Sequence, residues 1–322
     1  MKDIKVLITG GTGSLGRALV KKIKQFGWQI IIFSRDEGKQ ALYYGHDKNI
    51  IRVIGDIRDL GKLEKICKLH KPNYIIHAAA LKRIDDLEIY PDECIKTNIL
   101  GSENVAIAAS NSNVEKCILI STDKACMPIN VYGSSKFIAE RIFTNYDYNS
   151  LGTIFASVRY GNVIASRGSF VPLWLKQIEK NNKITVTSLE CSRFLFTLEN
   201  ATDAVINALL LSQGGEVFIP KISSFNMTSV IEAVKKTYSV ENFECEIIGL
   251  RPGEKIHEDM LALTELPLTR EANDNLLVVL PQYSKRKHVY KKKYKGPCLN
   301  SALCLNNDVD YLCDLMKSGD YS

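Results

Sequence analysis

Residues 5–16 read KVLITGGTGSLG: five strand-forming residues run straight into a glycine-rich turn. Gly10, Gly13 and Gly16 are spaced G-x-x-G-x-x-G, and the apolar positions beyond them recur with helical period over Leu15–Phe26. Glycine permits a tight turn and close backbone approach to a pyrophosphate, and the helix that follows offers free N–H groups and a positive dipole end. Strand, turn and helix together predict a dinucleotide site, with Thr12, Ser14 and Leu15 in the turn beside the three glycines.

Outward from this turn the pattern repeats. Strands are predicted at Lys5–Thr9, Gln29–Ser34, Ile51–Ile54, Tyr74–His77, Lys116–Ser121 and Ile154–Arg159, with helical patterns between them such as Ser102–Ser110. Near-continuous apolar strands alternating with helices imply an α/β protein with a doubly wound parallel sheet of Rossmann type. The alternation loosens after about residue 165. The reading divides the chain into a dinucleotide-binding domain (1–165, with returns from the second half), a smaller substrate-binding region (166–282) and a Lys- and Cys-containing tail (283–322), for which no elements are predicted. In the second part, helices are expected near Val171–Glu179, Asn200–Leu211 and Met227–Thr237, and strands near Lys183–Val186 and Glu216–Ile219.

Composition excludes other classes. Hydrophobic residues make up 45% and charged residues 24% of the 322, which rules out disorder and coiled coil. No apolar run approaches the ~18 residues of a membrane-spanning helix, and Met1–Lys5 does not read as a secretory signal. The net charge is +6, but residues 285–295 (KRKHVYKKKYK) hold seven Lys/Arg, and without those seven charges the rest carries −1. Nucleic acid is therefore not an expected partner of the body; the tail stretch is either solvated or a polyanion contact. Nine scattered cysteines with no C-x-x-C pair predict no metal site and reduced thiols, hence a cytoplasmic setting.

The second strand ends at Ser34-Arg35-Asp36. An acid there suits the ribose hydroxyl of NAD and an arginine the 2′-phosphate of NADP; Arg35 comes first, so NADP is the expected cofactor, with NAD the alternative. Asp56 and Ile57 follow the third strand, where Asp56 is either an adenine contact or a turn former. Ala78, Ala79 and Ala80, small residues after His77, would let the chain lie close to the cofactor. His77 itself is expected to pack against the cofactor rather than act as a base. Residues 121–136 read STDKACMPINVYGSSK. Tyr132 and Lys136 form Y-x-x-x-K, which puts phenol and ammonium on one helix face. A neighbouring ammonium favours phenolate, so Lys136 is expected to lower the Tyr132 pKa and let it take an alcohol proton.

TGGTGSLG, HAAALK (77–82), KTN (96–98), STDKA and YGSSK resemble the extended short-chain dehydrogenase/reductases. More narrowly, SRDE (34–37), GDIRD (55–59), STDKACMPINVYG, RYGNV (159–163), SRGS (166–169), FIPKI (218–222) and IGLRPGEKIHE (248–258) resemble the inverting UDP-N-acetylglucosamine 4,6-dehydratases. The resemblance spans about residues 4–262. It implies NADP-dependent removal of water from UDP-N-acetylglucosamine with inversion at C5, giving the L-arabino 4-keto-6-deoxy sugar. In that scheme Tyr132 takes the 4-OH proton, Thr122 binds the 4-oxygen, Lys124 (its pKa lowered by burial and by Lys136) removes the C5 proton, and Asp123 protonates the leaving 6-OH. Asn98 is grouped with the cofactor residues, fixing backbone or water near Lys136. Lys82, Asn162, Arg167, Arg193, Arg251 and Glu254 are implied on the substrate side, the arginines gripping phosphate and Glu254 holding Arg251 or a ribose hydroxyl. A homo-oligomer pairing through helices 101–111 and 134–146 is also implied. Arg83-Ile84-Asp85 stand where pseudaminic-type members have His, Val and Pro, and Met127 where an Asn is usual; these departures bear on the preferred sugar. The alternatives are a nucleotide-sugar 4-epimerase, a C5-retaining dehydratase, and a dinucleotide-binding sensor or scaffold without chemistry. The Asp123-Lys124 pair argues against the first two and the intact Tyr132 and Lys136 against the third.

Overall fold

The computed structural model describes residues 4–149, 152–164 and 169–318. Arg167, named above for the substrate, lies outside them. Six strands carry the first half: β1 (Lys5–Thr9), β2 (Gln29–Ser34), β3 (Ile50–Ile54), β4 (Tyr74–His77), β5 (Lys116–Ile120) and β6 (Ile154–Val158). Further strands are β7 (Asn162–Val163), β8 (Lys183–Val186), β9 (Ser192–Phe196), β10 (Val217–Pro220), β11 (Ser224–Asn226), β12 (Glu244–Ile247), β13 (Asp259–Leu261), β14 (Thr269–Asn273), β15 (Leu276–Val279) and β16 (Leu299–Asn300). The main sheet has the order β14-β15-β10-β6-β5-β4-β1-β2-β3. From β3 to β10 every pairing is parallel; β15 and β14 add an antiparallel edge. The order reverses between β1 and β4, and the crevice at that point takes ligands in such sheets.

Both faces of the sheet are covered, which is why β1 is apolar without alternation: Val6, Leu7 and Ile8 are all fully buried. The helix Ser14–Lys24 buries Gly16, Leu19, Val20 and Ile23, an i, i+3, i+4, i+7 stripe, and ends in Lys21, Lys22 and Lys24, which favour the negative dipole end. With the helix Leu198–Leu211 it covers one face. Helices Leu60–His70, Gly101–Asn111 and Val131–Asn149 cover the other. Leu19→Ala would cost about 2–5 kcal/mol through the cavity left in the first layer.

A second core gathers Val171, Trp174, Ile184, Leu195, Val230 and Val234 with Leu312 and Met316. The last two belong to a helix, Val309–Lys317, for which no element is predicted, and it packs onto the smaller region. The Lys-rich stretch is likewise built in. Its inward positions are anchored: Arg286 Nε donates to Asp147 at 3.2 Å, His288 meets Glu216 at 3.2 Å, and the Tyr290 hydroxyl donates to the Leu211 carbonyl at 2.5 Å. The alternate residues Lys285, Lys287, Val289 and Lys291 are exposed. Among the described residues no helix is long and apolar enough to cross a membrane.

Candidate active site

A cleft of about 1190 Å³ opens at the carboxyl ends of the parallel strands. Its floor is the glycine turn. Gly10 has φ +70°, and a Cβ there would meet the Ala79 backbone at 2.8 Å; a Cβ on Gly16 would lie 2.5 Å from the Gly10 carbonyl oxygen. Gly13 precedes the first helix with no side chain capping it, its own N–H donating to the Gly10 carbonyl at 3.0 Å, and Thr12, Ser14 and Leu15 line the cleft beside it. This cradle fits a pyrophosphate. Ser34, Arg35, Asp56, Ile57 and Ala78–Ala80 line the same cleft.

Asp36 is used as a helix cap, its Oδ1 accepting from the Lys39 N–H at 2.9 Å, with the Lys39 ammonium on Oδ2. Arg35 stays more than half exposed, 3.9 Å from Asp56. Asp56 is in turn held by Arg58, whose Nη2 donates at 2.7 Å.

The catalytic-type residues converge at the end of β5. The Thr122 hydroxyl donates to Asp123 Oδ1 at 2.9 Å, and Lys124 Nζ lies 3.1 Å from the same oxygen. The helix carrying Tyr132 and Lys136 is pinned against them: Asn130 Oδ1 accepts from the Gly133 N–H at 2.6 Å, and a side chain at Gly133 would collide with the Lys124 carbonyl. Tyr132 and Lys136 both reach the cleft. Burial pushes the Tyr132 phenol up to about 12, opposed by Lys124 and by the Thr122 hydroxyl. Lys124 is thus a cation that draws the phenol down. Lys136 is depressed to about 8 by burial, against the upward pull of Glu140, one turn along its own helix. The expectation of a lowered Lys124 pKa is corrected. Burial does oppose its charge, but Asp123 and Glu258, each with an oxygen 3.1 Å from Nζ, outweigh burial and hold it protonated.

Glu258 is the residue the sequence reading missed. It is 2% exposed, and burial pushes its carboxyl up while Lys124 pulls it down. It lies in IGLRPGEKIHE, but nothing in its spacing separates it from the other acids there. Arg159 and Glu140 were missed as well; they form a buried pair behind the cleft wall.

Asn98, grouped with the cofactor residues, is fully buried and takes the backbone-fixing role expected of it near Lys136. It sits in a π-helical turn, Ile95–Leu100, accepting from the Leu81 N–H at 2.8 Å and donating to the Leu81 carbonyl at 2.9 Å and Ser135 Oγ at 3.0 Å. It joins the loop after β4 to the Tyr132 helix. His77 does not face the cofactor cradle: it bridges Thr9 Oγ1 at 2.7 Å and Ser102 Oγ at 3.0 Å, stacks on Phe143, and is driven to about 3 by burial, so it stays neutral. Glu254 holds the guanidinium of Arg193 at 2.8 Å, and it meets the Arg251 backbone rather than its side chain, accepting from the Arg251 N–H at 3.3 Å and donating its own N–H to the Arg251 carbonyl at 3.0 Å.

On the substrate side, Lys82, Asn162, Arg193, Arg251 and Glu254 all line the cleft. The Asn162 amide oxygen is buried with no hydrogen-bond partner among the described residues, so it has capacity left for a ligand. Arg193 is spent in part on the carbonyls of Ser192 and Ile256, both at 2.8 Å. Arg251 reaches across the mouth to Asp85, 3.3 Å away, so one of the three departures at 83–85 contacts the loop 251–254 directly. Met127 has φ +48°, the left-handed conformation in which Asn is tolerated and Met is not favoured.

Comparison with known proteins agrees with this geometry. The family model described as polysaccharide biosynthesis protein matches residues 6–279. An inverting UDP-N-acetylglucosamine 4,6-dehydratase of Campylobacter jejuni is 40% identical over 273 residues, covering 83% of this chain and 80% of the relative. A protein named UDP-glucose 4-epimerase, from Rickettsia rickettsii, is 37% identical over 284 residues, covering 84% and 82%. The X-ray structure of Pen from Bacillus thuringiensis superposes with a TM-score of 0.91 at 35% identity, covering 98% of both chains. The chain belongs to the polysaccharide biosynthesis protein family, as an extended short-chain dehydrogenase/reductase of the nucleotide-sugar dehydratase and epimerase type.

Proposed function

We propose that the protein is an NADP-dependent 4,6-dehydratase acting on UDP-N-acetylglucosamine with inversion at C5. The observation that carries this reading is the Thr122-Asp123-Lys124 cluster beside Tyr132: an acid and an amine 3.1 Å apart, in one cleft with the phenol. A 4-epimerase needs the phenol to move one proton. Dehydration also needs a donor for the departing 6-OH and an acceptor for the C5 hydrogen, roles that suit Asp123 and Lys124. A bound nicotinamide would supply a reversible hydride acceptor, so the reaction would involve no net redox. Tyr132 holds the 4-OH proton, Thr122 binds the 4-oxygen, and Arg251, Asn162 and Lys82 orient the nucleotide-sugar.

NADP is favoured over NAD because Arg35 is exposed at the ribose end of the cradle while Asp36 is engaged as a helix cap. All nine cysteines are free, which suits a reducing, cytoplasmic setting. A homo-oligomer through the helices Gly101–Asn111 and Val131–Asn149 is supported by the exposed Leu100, Phe137 and Ile138.

The second reading, 4-epimerisation, is favoured by the name of the Rickettsia relative. Proton NMR of the holoenzyme with UDP-N-acetylglucosamine in D2O separates the two. A new methyl signal with deuterium at C5 supports inverting dehydration; UDP-N-acetylgalactosamine with no methyl signal would mean epimerisation.

A further inference from the structure

We propose that Glu258 is a third acid–base residue of the site, exchanging a proton with Lys124 so that Lys124 can act first as base and then as relay to Asp123. This rests on the dehydration reading above.

The argument begins with placement. Glu258 ends the loop before β13, and its backbone is fixed on both sides: its N–H donates to Ser301 Oγ at 2.8 Å, and the Ser301 N–H donates to its carbonyl at 2.8 Å. Ser301 Oγ in turn meets Ser192 Oγ at 2.7 Å, so β9 and the segment before the last helix hold the glutamate from outside the cleft. Its side chain points the other way, into the cleft, and puts Oε1 3.1 Å from Lys124 Nζ. Lys124 is as close to Asp123 Oδ1. One ammonium thus bridges two buried carboxylates, and the outer oxygens, Asp123 Oδ2 and Glu258 Oε2, have no hydrogen-bond partner among the described residues. Lys124 and Arg193 are the cations facing Glu258, and of the two only Lys124 touches both carboxylates; in the proposed scheme the proton needed by the leaving 6-OH is on Asp123, with Glu258 ionised.

A protonated Lys124 cannot accept the C5 hydrogen. Transfer along the 3.1 Å contact breaks one Nζ–H bond and forms Glu258 Oε1–H, leaving a neutral amine. The amine takes the C5 proton from the 4-keto sugar, the C–H electron pair becomes the C5–C6 double bond, and the 6-OH leaves as water with the proton of Asp123. Lys124 then passes a proton to the Asp123 carboxylate and recovers one from Glu258. Asp123 is protonated again, Lys124 charged and Glu258 ionised, as at the start.

The test uses the holoenzyme in D2O with UDP-N-acetylglucosamine, following deuterium at C5 between pH 6 and 10 alongside transient reduction of the bound nicotinamide. Glu258→Gln keeps the shape and removes the proton acceptor. The expected result is a fall of about 100-fold in C5 exchange at neutral pH, recovering roughly tenfold per pH unit as solvent deprotonates Lys124, with nicotinamide reduction within about threefold of wild type. A merely structural role would lower both signals and show no recovery with pH. Exchange equal to or faster than wild type across the range would overturn the proposal while leaving dehydration intact. A wild-type enzyme that makes no methyl product would overturn the dehydration reading and this proposal with it. If Glu258→Gln does not fold, Glu258→Asp, with a shorter reach, carries the same expectation at about a tenfold loss; wild-type exchange there overturns the proposal.

Discussion

The guanidinium of Arg159 grips the carboxylate of Glu140 through two hydrogen bonds, Nε to Oε1 at 3.1 Å and Nη2 to Oε2 at 2.7 Å, with both side chains essentially without solvent exposure. Glu265 closes the other side at 2.9 Å, and Ser121, the residue before the catalytic cluster, donates to Glu140 at 2.5 Å. The network therefore joins the end of β5, the Tyr132 helix and the segment after β13. Arg159→Met should cost about 3–5 kcal/mol, because it strands the buried Glu140 charge. Replacing both partners together, Arg159→Met with Glu140→Leu, should recover part of that loss, since Glu265 then lacks the guanidinium and Lys136 lacks Glu140. Urea unfolding midpoints of the two variants check this; a double variant no more stable than the single one would mean the pair is not the source.

Lys136 gives a pH dependence with a defined sign. Burial holds it near 8 in the folded protein, against about 10.4 in an unfolded chain. Between these values the unfolded chain binds a proton that the folded one does not, so stability rises with pH across roughly 8 to 10.4. Below pH 8 the cost of burying the charge is carried in full. Lys136→Met should then stabilise the protein at pH 7 by roughly 2–3 kcal/mol, a gain that fades toward pH 10, while turnover collapses. Thermal melts of both proteins at pH 7 and pH 10 measure it; equal differences at the two pH values would remove the buried charge as the cause.

The parts legible in the sequence are those set by local pattern. The glycine turn, the six parallel strands and the Tyr132–Lys136 helix follow from apolar runs, φ > 0 positions and i, i+4 spacing. The glycine turn and Tyr132 and Lys136, which line the cleft, were legible for the same reason, whereas Thr122, Asp123 and Lys124 were assigned by resemblance alone. Glu258 was not, because its role depends on a loop brought back more than 130 positions along the chain to Lys124, and no spacing rule encodes that. Arg159 was hidden differently: a lone arginine at a strand end reads as solvated, and only its enclosure by Glu140 and Glu265 gives it meaning. The protonation of Lys124 was misread because burial was weighed without the second carboxylate. The helix Val309–Lys317 escaped because it is only 9 residues long, too short for its four buried residues, Leu312, Cys313, Leu315 and Met316, to show a repeated helical period.

Arg35 carries the cofactor prediction. It lines the cleft, 3.9 Å from Asp56, and Asp36 beside it is occupied by the Lys39 N–H. In the proposed NADP reading, a guanidinium at this place meets the 2′-phosphate, a group that NAD lacks. Arg35→Glu should weaken NADP by about 1.5–3 kcal/mol, the range of a hydrogen bond to a charged group, with NAD changed little. Titration calorimetry with both cofactors decides it. Equal weakening of the two would place Arg35 away from the 2′-phosphate.

Met127 offers a prediction that touches neither charge nor catalysis. It is the third residue after Lys124, it is exposed, and its φ of +48° puts an unbranched L side chain in the left-handed region. That conformation costs roughly 1–2 kcal/mol for most residues and less for Asn, whose short amide can bond locally. The turn is held in place regardless, because Lys255 Nζ donates to the Cys126 carbonyl at 3.0 Å and the Cys126 N–H donates to the Asp123 carbonyl at 2.9 Å. Met127→Asn should therefore stabilise the protein by about 0.5–1 kcal/mol, and Met127→Gly by less, since glycine also gains freedom in the unfolded chain. Met127→Val, β-branched, should do the reverse. Chemical denaturation of the three variants orders them Asn, Gly, wild type, Val; an asparagine variant less stable than wild type would show that the exposed methionine makes a contact worth more than the strain it carries.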